Sequence, residues 1–440
     1  MITETLLGLV EDEQPFIVFG RVQGVRGLLV EIAGPLSQMD IGSRVVIETG
    51  DMPSVPCEVI GFERDAALAM PFGSLTGVRR GCRVVVQSRR GAVRPSTAWL
   101  GRVIDAFGVP IDGQDEPAPG ALSYSLHSDP PAAHRRQRLG QTLDLGVRVL
   151  NSFLPMRRGQ RVGLFAGSGV GKSVLMSMIA RNADADVFVI GLIGERGREV
   201  SEFIQDDLGE DGLKRAVVVV ATSDESALTR RQAAYMALTV AEYFRDLGKN
   251  VVLMMDSVTR FAMAQRDIGL AMGEPPTTKG YTPTVFAELP RLLERAGPGE
   301  GEGSITAFFT VLVDGDDHNE PVADAARGIL DGHVVLERQI AERGRYPAVN
   351  ILKSVSRTMP GACDPIFLPS VKEAKRLVAT YTDMEDLIRL GAYKSGTNPE
   401  VDRAIRAHDA IEAFLSQGKE ESTSLSESYC RLADIVNGLG

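Results

Sequence analysis

The segment Ala166–Ser173 reads A-G-S-G-V-G-K-S, directly after the apolar run Arg161–Phe165 and at the head of a helical stretch, Ser173–Ala180. No other feature constrains the fold as tightly. A strand, a glycine-rich turn and a helix in that order make a phosphate-binding loop. The glycines let several backbone N–H groups turn inward at phosphate oxygens, and the helix N-terminus adds partial positive charge. Lys172 is placed to contact the β- and γ-phosphates of a nucleoside triphosphate, and the Ser173 hydroxyl to ligate Mg²⁺. The strict pattern opens with Gly where this chain has Ala166, which a negative φ tolerates. The candidate nucleotide-binding residues are therefore Ala166, Gly167, Ser168, Gly169, Val170, Gly171, Lys172 and Ser173. A ligand-free glycine turn accounts less well for Lys and Ser in register.

The surroundings of the loop suit it. Strand-like runs at Arg161–Phe165, Val187–Ile193, Ala216–Ala221, Val251–Met255, Ile305–Val313 and Ala348–Leu352 alternate with helical segments. Continuous apolar strands of this kind predict a mostly parallel sheet covered on both faces. A helix is expected over Ala227–Leu247, where Met236, Val240, Tyr243, Phe244 and Leu247 form a stripe, with Ser223 capping its start and Gly248 its end. Upstream, short runs at Phe16–Val25, Leu28–Ala33, Arg44–Glu48, Cys57–Phe62, Ala66–Met70 and Arg83–Gln87 are parted by Gly, Pro and Asp and predict a small closed barrel. Gly108–Pro131 reads as an extended connector. Beyond about Lys372 only helical signals remain, at Met384–Leu390 and Val401–Leu415 among others. The expected organisation is an α/β chain: an N-terminal β-barrel over 1–90, a nucleotide-binding domain over 91–367 and a small helical C-terminal domain over 368–440.

Three more residues belong to the chemistry. Asp256 ends the run Val251–Met255 and can deliver a carboxylate to a metal ion; alone it could equally cap a helix, but beside the loop the metal-linked role is preferred. Glu195, in G-E-R-G-R-E (Gly194–Glu199), leaves the sheet at the same edge, where a carboxylate can activate water; periodicity does not separate this from a solvated charge cluster. Arg357, in S-V-S-R, follows the run around Asn350 and is expected at that edge too, where a cation stabilises a developing phosphoryl charge, although spacing alone favours a surface arginine.

Composition excludes other classes. Acidic residues outnumber basic ones, 58 against 48, for a net charge of −10, which disfavours non-specific nucleic-acid binding. Cys57, Cys82, Cys363 and Cys430 are far apart and read as reduced thiols, and His127, His134, His318, His333 and His408 form no zinc motif. The first residues carry no basic secretory signal, and every apolar run is far shorter than the roughly 20 residues that span a bilayer. Arg79, Arg80, Arg83, Arg89, Arg90 and Arg94, with Arg135, Arg136 and Arg138, form a basic cluster. A solvated, salt-bridged rim is the first reading of it, and a face for lipid or an acidic partner the second.

Taken with M-M-D-S-V-T-R-F-A (Met254–Ala262) and the S-V-S-R segment, these motifs resemble the hexameric ATPases related to the catalytic subunit of rotary ATP synthases. G-E-P-P-T-T-K-G-Y-T-P-T-V-F from Gly273, R-G-I-L-D-G-H-V-V-L from Arg327 and M-E-D-L-I-R-L-G-A-Y from Met384 look like the type III protein-export ATPases, the flagellar branch above all. The resemblance runs from about Gly20 to Leu415. It implies a RecA-like central domain using ATP and Mg²⁺, with Lys172 and Ser173 as phosphate and metal ligands and Glu195 as catalytic base. It further implies Arg196 as its γ-phosphate-sensing neighbour, Asp256 as the metal-linked acid, Arg357 as an arginine finger acting in trans and Tyr346 stacking on adenine. It implies a homohexamer whose central channel the Gly273–Pro283 loop faces. Implied partners are regulatory stator-like and central-stalk proteins, an export gate and chaperone–cargo complexes. The implied location is cytoplasmic, peripherally docked at the inner-membrane base of the flagellum. Better-known flagellar members carry a longer helical extension ahead of the barrel for the stator-like partner. The expected function is Mg-dependent ATP hydrolysis that energises flagellar protein export. The alternatives are the ATPase of a virulence injectisome and the catalytic subunit of a rotary synthase, which normally has Gly at the place of Ala166. A non-catalytic ring component would typically lack Glu195. A hexameric RNA translocase would need an aromatic and basic single-strand platform that this chain lacks.

Overall fold

The structure is a computed structural model that describes residues 17–88, 91–313 and 320–438. Arg89, Arg90, His318 and the N-terminal segment considered above lie outside the described residues. Six strands build the barrel: β1 (Phe19–Arg26), β2 (Leu29–Ala33), β3 (Arg44–Glu48), β4 (Val55–Glu63), β5 (Ala66–Pro71) and β6 (Arg83–Ser88). They close in the order β1-β2-β5-β4-β3-β6, with Phe19 opposite Val85 at the seam. The period-two pattern turns Val30, Ile32, Val45, Ile47, Val59 and Val84 into the lumen. Closure leaves no strand edge free to pair with another chain. The barrel rests on the next domain through Ile60, Leu68, Met70 and Phe72, packed against Leu228 and Ile268. Beside them the buried carboxylate of Glu58 is shared by Arg44, at 3.4 Å, and by Arg231 of the next domain, at 2.5 Å.

The connector is not wholly irregular. Tyr124–Ser125 pairs with Ala92–Val93, and β7 (Arg102–Ile104) joins the edge of the large sheet beside the strand Ala216–Thr222. Three residues are too short a run to stand out in a sequence. The remaining strands of that sheet are β8 (Arg161–Ala166), β9 (Val187–Glu195), β10 (Ala216–Thr222), β11 (Asn250–Asp256), β12 (Ser304–Leu312), β13 (Gly332–Leu336) and β14 (Val355–Ser356). Their order is β14-β13-β8-β12-β11-β9-β10-β7, parallel from β13 to β7, while β14 and a two-residue strand at Gly297–Pro298 run antiparallel. Neighbouring side chains on one strand serve opposite cores. Leu164 packs with α1 (Lys172–Asn182), whereas Phe165 faces α2 (Ala227–Asp246), α3 (Val258–Ala271) and α4 (Pro283–Glu294). Burial on both faces is why these strands read as unbroken apolar runs.

Two sequence expectations need correcting here. Ala348–Leu352 is not a strand. It touches the sheet through one bridge, Val349 to Leu336, and its apolar character comes from burial beneath the C-terminal helices. The strand beside β8 is β13, whose short run was masked by flanking Gly and Asp. The cap of α2 is Ser226, whose hydroxyl accepts from Thr229 N, and not Ser223. Gly248 does end that helix: at φ +79° its N–H donates to Arg245 O while Lys249 N–H donates to Phe244 O, the pair of bonds that closes a helix on a left-handed residue.

The C-terminal part is α5 (Leu368–Arg389), α6 (Pro399–Leu415) and α7 (Leu425–Asn437). It has no core of its own. Leu377, Ile411, Phe414 and Leu432 complete the cluster that covers the α1 side of the sheet. No helix among the described residues is long and apolar enough to cross a membrane.

Candidate active site

The parallel register brings the C-terminal ends of β8, β11 and β9 to one edge of the sheet. Ala166 stands opposite Leu312 of β12, and Asp256 opposite Leu192 of β9. The loop after β8 bends through Gly169 and Gly171, and Gly171, at φ +89°, sits at the N-cap of α1. A Cβ there would approach Tyr346 Cδ1 to 3.2 Å, so the tyrosine ring lies against the loop. Ser173 is exposed on the first turn of α1. Arg338, just past the end of β13, donates from Nη2 to Ser168 O at 3.1 Å.

Lys172 is the hub. Its Nζ lies 2.5 Å from Asp256 Oδ1 and 3.7 Å from Glu195 Oε1. Burial pulls the ammonium toward neutrality, but the charges of Asp256 and Glu195 outweigh it and the net shift is upward, so Lys172 is a cation. Asp256 is held in turn by Thr310 of β12, whose Oγ1 donates to Oδ1 at 2.7 Å. Ser257, not Asp256, caps α3, by accepting from Arg260 N. This leaves the Asp256 carboxylate free for the site.

Glu195 is aimed by the backbone. The register of β9 against β10 slips between Ile193 and Glu195, and Gly194 between them has φ +70°. A bulge of this kind turns a side chain out of the pleat. A Cβ on Gly194 would press on Arg260 at 3.0 Å. Burial and the nearby charge of Asp256 push the Glu195 carboxyl up to about 7, against the opposing pull of Lys172. Its Oε1 is buried without a hydrogen-bond partner. An orphaned carboxylate oxygen facing the mouth of a phosphate loop is an open place for a water or a metal ligand. The oxygens of Asp256, Glu195 and Ser173 are a hard donor set that fits Mg²⁺, with phosphate and water completing the shell.

Not every expected residue joins this cluster. Arg196 is exposed and ion-paired with Glu199 at 3.2 Å. Arg357 does not lie at the same sheet edge as the loop, contrary to the sequence reading. β14 runs antiparallel to β13, with Ser356 opposite Gly332, so Arg357 emerges where β13 begins. That is four residues below Leu336, or about 13 Å at the strand rise. Its Nη2 donates to Arg327 O. Thr310, Arg338 and Arg260 were not foreseen. Thr310 had a faint signal, a hydroxyl near the end of an apolar strand; the two arginines had none.

Comparison with known proteins fits this geometry. Residues 22–86 match the beta-barrel domain of the ATP synthase alpha/beta family, 146–356 its nucleotide-binding domain, and 367–434 the C-terminal domain of the type III secretion ATPase EscN. The chain is 59% identical to the flagellum-specific ATP synthase of Caulobacter vibrioides, over 98% of this chain and 99% of that one. It belongs to the type III protein-export ATPase family. The Bacillus subtilis flagellum-specific ATP synthase is 49% identical across 99% of both chains. The type 3 secretion system ATPase of Xanthomonas euvesicatoria is 46% identical over 95% of this chain and 94% of its own. Assembled EscN from enteropathogenic E. coli superposes with a TM-score of 0.89 at 42% identity, covering 95% of this chain and all of EscN, and its complex with the central stalk EscO superposes at 0.87. Like its relatives, this export-family chain is an ATPase that uses ATP, and the loop around Lys172 lies within the matched nucleotide-binding domain.

Proposed function

We propose that this chain is a homohexameric, Mg-dependent ATP hydrolase that energises flagellar type III protein export. The observation that carries the chemistry is Lys172 held between Glu195 and Asp256 at the mouth of the phosphate loop. When a triphosphate enters, backbone N–H groups of the loop donate to its oxygens and Lys172 exchanges Asp256 for phosphate. Asp256 and Ser173 would hold Mg²⁺, which would supply positive charge against the developing phosphoryl charge. Glu195 Oε1 takes a proton from the attacking water. Arg196, next to it, senses the γ-phosphate, and Tyr346 stacks on the base. Arg357 cannot serve the site of its own chain from the opposite sheet edge, which supports a role toward a neighbouring copy and hence a ring.

The protonation of Glu195 sets a pH dependence. A carboxyl shifted up to about 7 is protonated, and useless as a base, below that pH. kcat/KM for ATP should therefore rise as pH increases through about 7 and level off above it. ATP binding to the Glu195→Gln variant reports ionisation of the nucleotide alone and separates the two effects. A kcat/KM profile that merely follows that binding curve contradicts the base role.

The flagellar assignment rests on the relatives, since an injectisome ATPase shares the same chemistry. Deleting the gene should abolish swimming and export of flagellar proteins while leaving effector secretion intact, and the Glu195→Gln allele should not restore it. Retained swimming, with effector secretion lost, would transfer the assignment to an injectisome. The EscN–EscO complex supports a central-stalk partner. A stator-like regulator, an export gate and chaperone–cargo complexes complete the proposed partners. The proposed location is peripheral docking at the cytoplasmic base of the flagellum, with the exposed Arg79 and Arg80 available toward an acidic surface.

A further inference from the structure

The turn that carries Tyr346 is braced from two sides. Toward the sheet, Glu337 N donates to Ala348 O at 2.9 Å and Asn350 N to Val335 O at 2.8 Å, which stitches the turn to the end of β13. Toward the C-terminal helices, Gln417 N donates to Tyr346 O at 2.8 Å. The neighbouring Arg345 side chain is only 10% exposed. Its Nη2 donates to Val349 O at 3.1 Å, across the same turn. Its Nε lies 2.9 Å from Glu412 Oε2 on α6, at an angle that makes no hydrogen bond, and Nη1 is buried without a partner. Charge, more than directional bonding, therefore fixes this guanidinium.

Packing holds only the far side of the turn, where Ala348, Val349 and Ile351 share a core with Ile411 and Phe414. Beside Arg345 lies a cavity of about 310 Å³, lined by Arg343, Arg345, Tyr381, Glu385, His408 and Glu412. The other pair across it, Arg343 with Glu385 at 2.8 Å, has a mostly exposed arginine and contributes little. Neutralising Glu412 would take away the carboxylate paired with this buried guanidinium, leaving it only the more distant charge of Glu337, and would free it to swing into that space and to release Val349 O.

We propose that Glu412 is a positioning residue for the nucleotide base: acting through Arg345, it holds the Tyr346 ring against the Gly171 loop. This inference rests on the reading of Tyr346 as the base-stacking residue. It assigns to the C-terminal helices a direct part in ATP affinity.

The test is steady-state ATP hydrolysis by the full chain carrying Glu412→Gln, Tyr346→Ala, or both. Glu412→Gln keeps the side-chain volume and removes only the charge. Tyr346→Ala should raise KM about tenfold, the worth of one base–aromatic stack. Glu412→Gln should raise KM about fivefold with kcat within about twofold, since it weakens binding without touching the reacting atoms. The double variant should be no worse than Tyr346→Ala alone. Multiplying KM effects, an equal fall in kcat, or an unchanged KM for Glu412→Gln overturns the inference while leaving the stacking role intact. An unchanged KM for Tyr346→Ala overturns the stacking role itself, and the inference with it.

Discussion

Glu195→Gln should lower kcat for ATP hydrolysis about a thousandfold while ATP still binds, which is the scale of losing a positioned general base. The substitution keeps the volume of a side chain that is 15% exposed, so the bulge at Gly194 and the packing on Arg260 survive. What disappears is the ability of Oε1 to accept a proton. A negative charge beside the incoming triphosphate disappears too, so binding should hold or tighten. Fluorescent-nucleotide titration and phosphate release read the two quantities separately. Turnover within tenfold of the unaltered chain would remove Glu195 from the chemistry.

Arg357→Ala should cost as much, about a thousandfold or more in kcat, if its guanidinium reaches the phosphate of a neighbouring copy. Its position makes a sharper experiment possible. An Arg357→Ala chain keeps a good Glu195, and a Glu195→Gln chain keeps a good Arg357. Each is inactive alone, but in mixed rings some sites combine the intact Glu195 of one copy with the intact Arg357 of the next. Mixing the two inactive proteins should restore a measurable fraction of turnover, greatest near equal proportions. A mixture as inactive as its components shows that Arg357 does not act across a subunit boundary. Within one chain the residue emerges at the opposite end of β13 from the loop, so a role in its own site has no geometric support.

These two residues also mark how far the sequence could be read. Glu195 was legible as to place: an apolar strand of the right length ends just before it, and parallel strands of one sheet end at one edge. Its condition was not legible. The upward shift of its carboxyl arises from burial and from Asp256, 61 residues away in sequence and brought alongside only by the pairing of β9 with β11. Arg357 was misplaced because the preceding apolar segment, Ala348–Leu352, has the composition of a buried strand without being one. Burial, which composition reports, and strand pairing, which it does not, coincide for β8 to β12 and part company there. The cap of α2 shows the same limit on a small scale. Ser223 and Ser226 are both acceptable caps, and only the backbone decides which hydroxyl reaches a free N–H.

What the sequence determined by itself is the chemistry that neighbours along the chain can encode: a loop whose glycines permit left-handed backbone, a lysine and serine at the start of a helix, strands that alternate or run apolar according to how many faces they bury, and an order of motifs shared with a family. What only the tertiary structure decided is set by strand order and register. Thr310 reaches Asp256 because β12 lies beside β11, the C-terminal helices merge into the core of the sheet and bring Gln417 N to Tyr346 O, and Arg357 faces away from its own loop because β14 runs against β13. Those contacts join residues tens to hundreds of positions apart, and no local pattern carries them, because their energies depend on the packing of surfaces that exist only once the chain has folded.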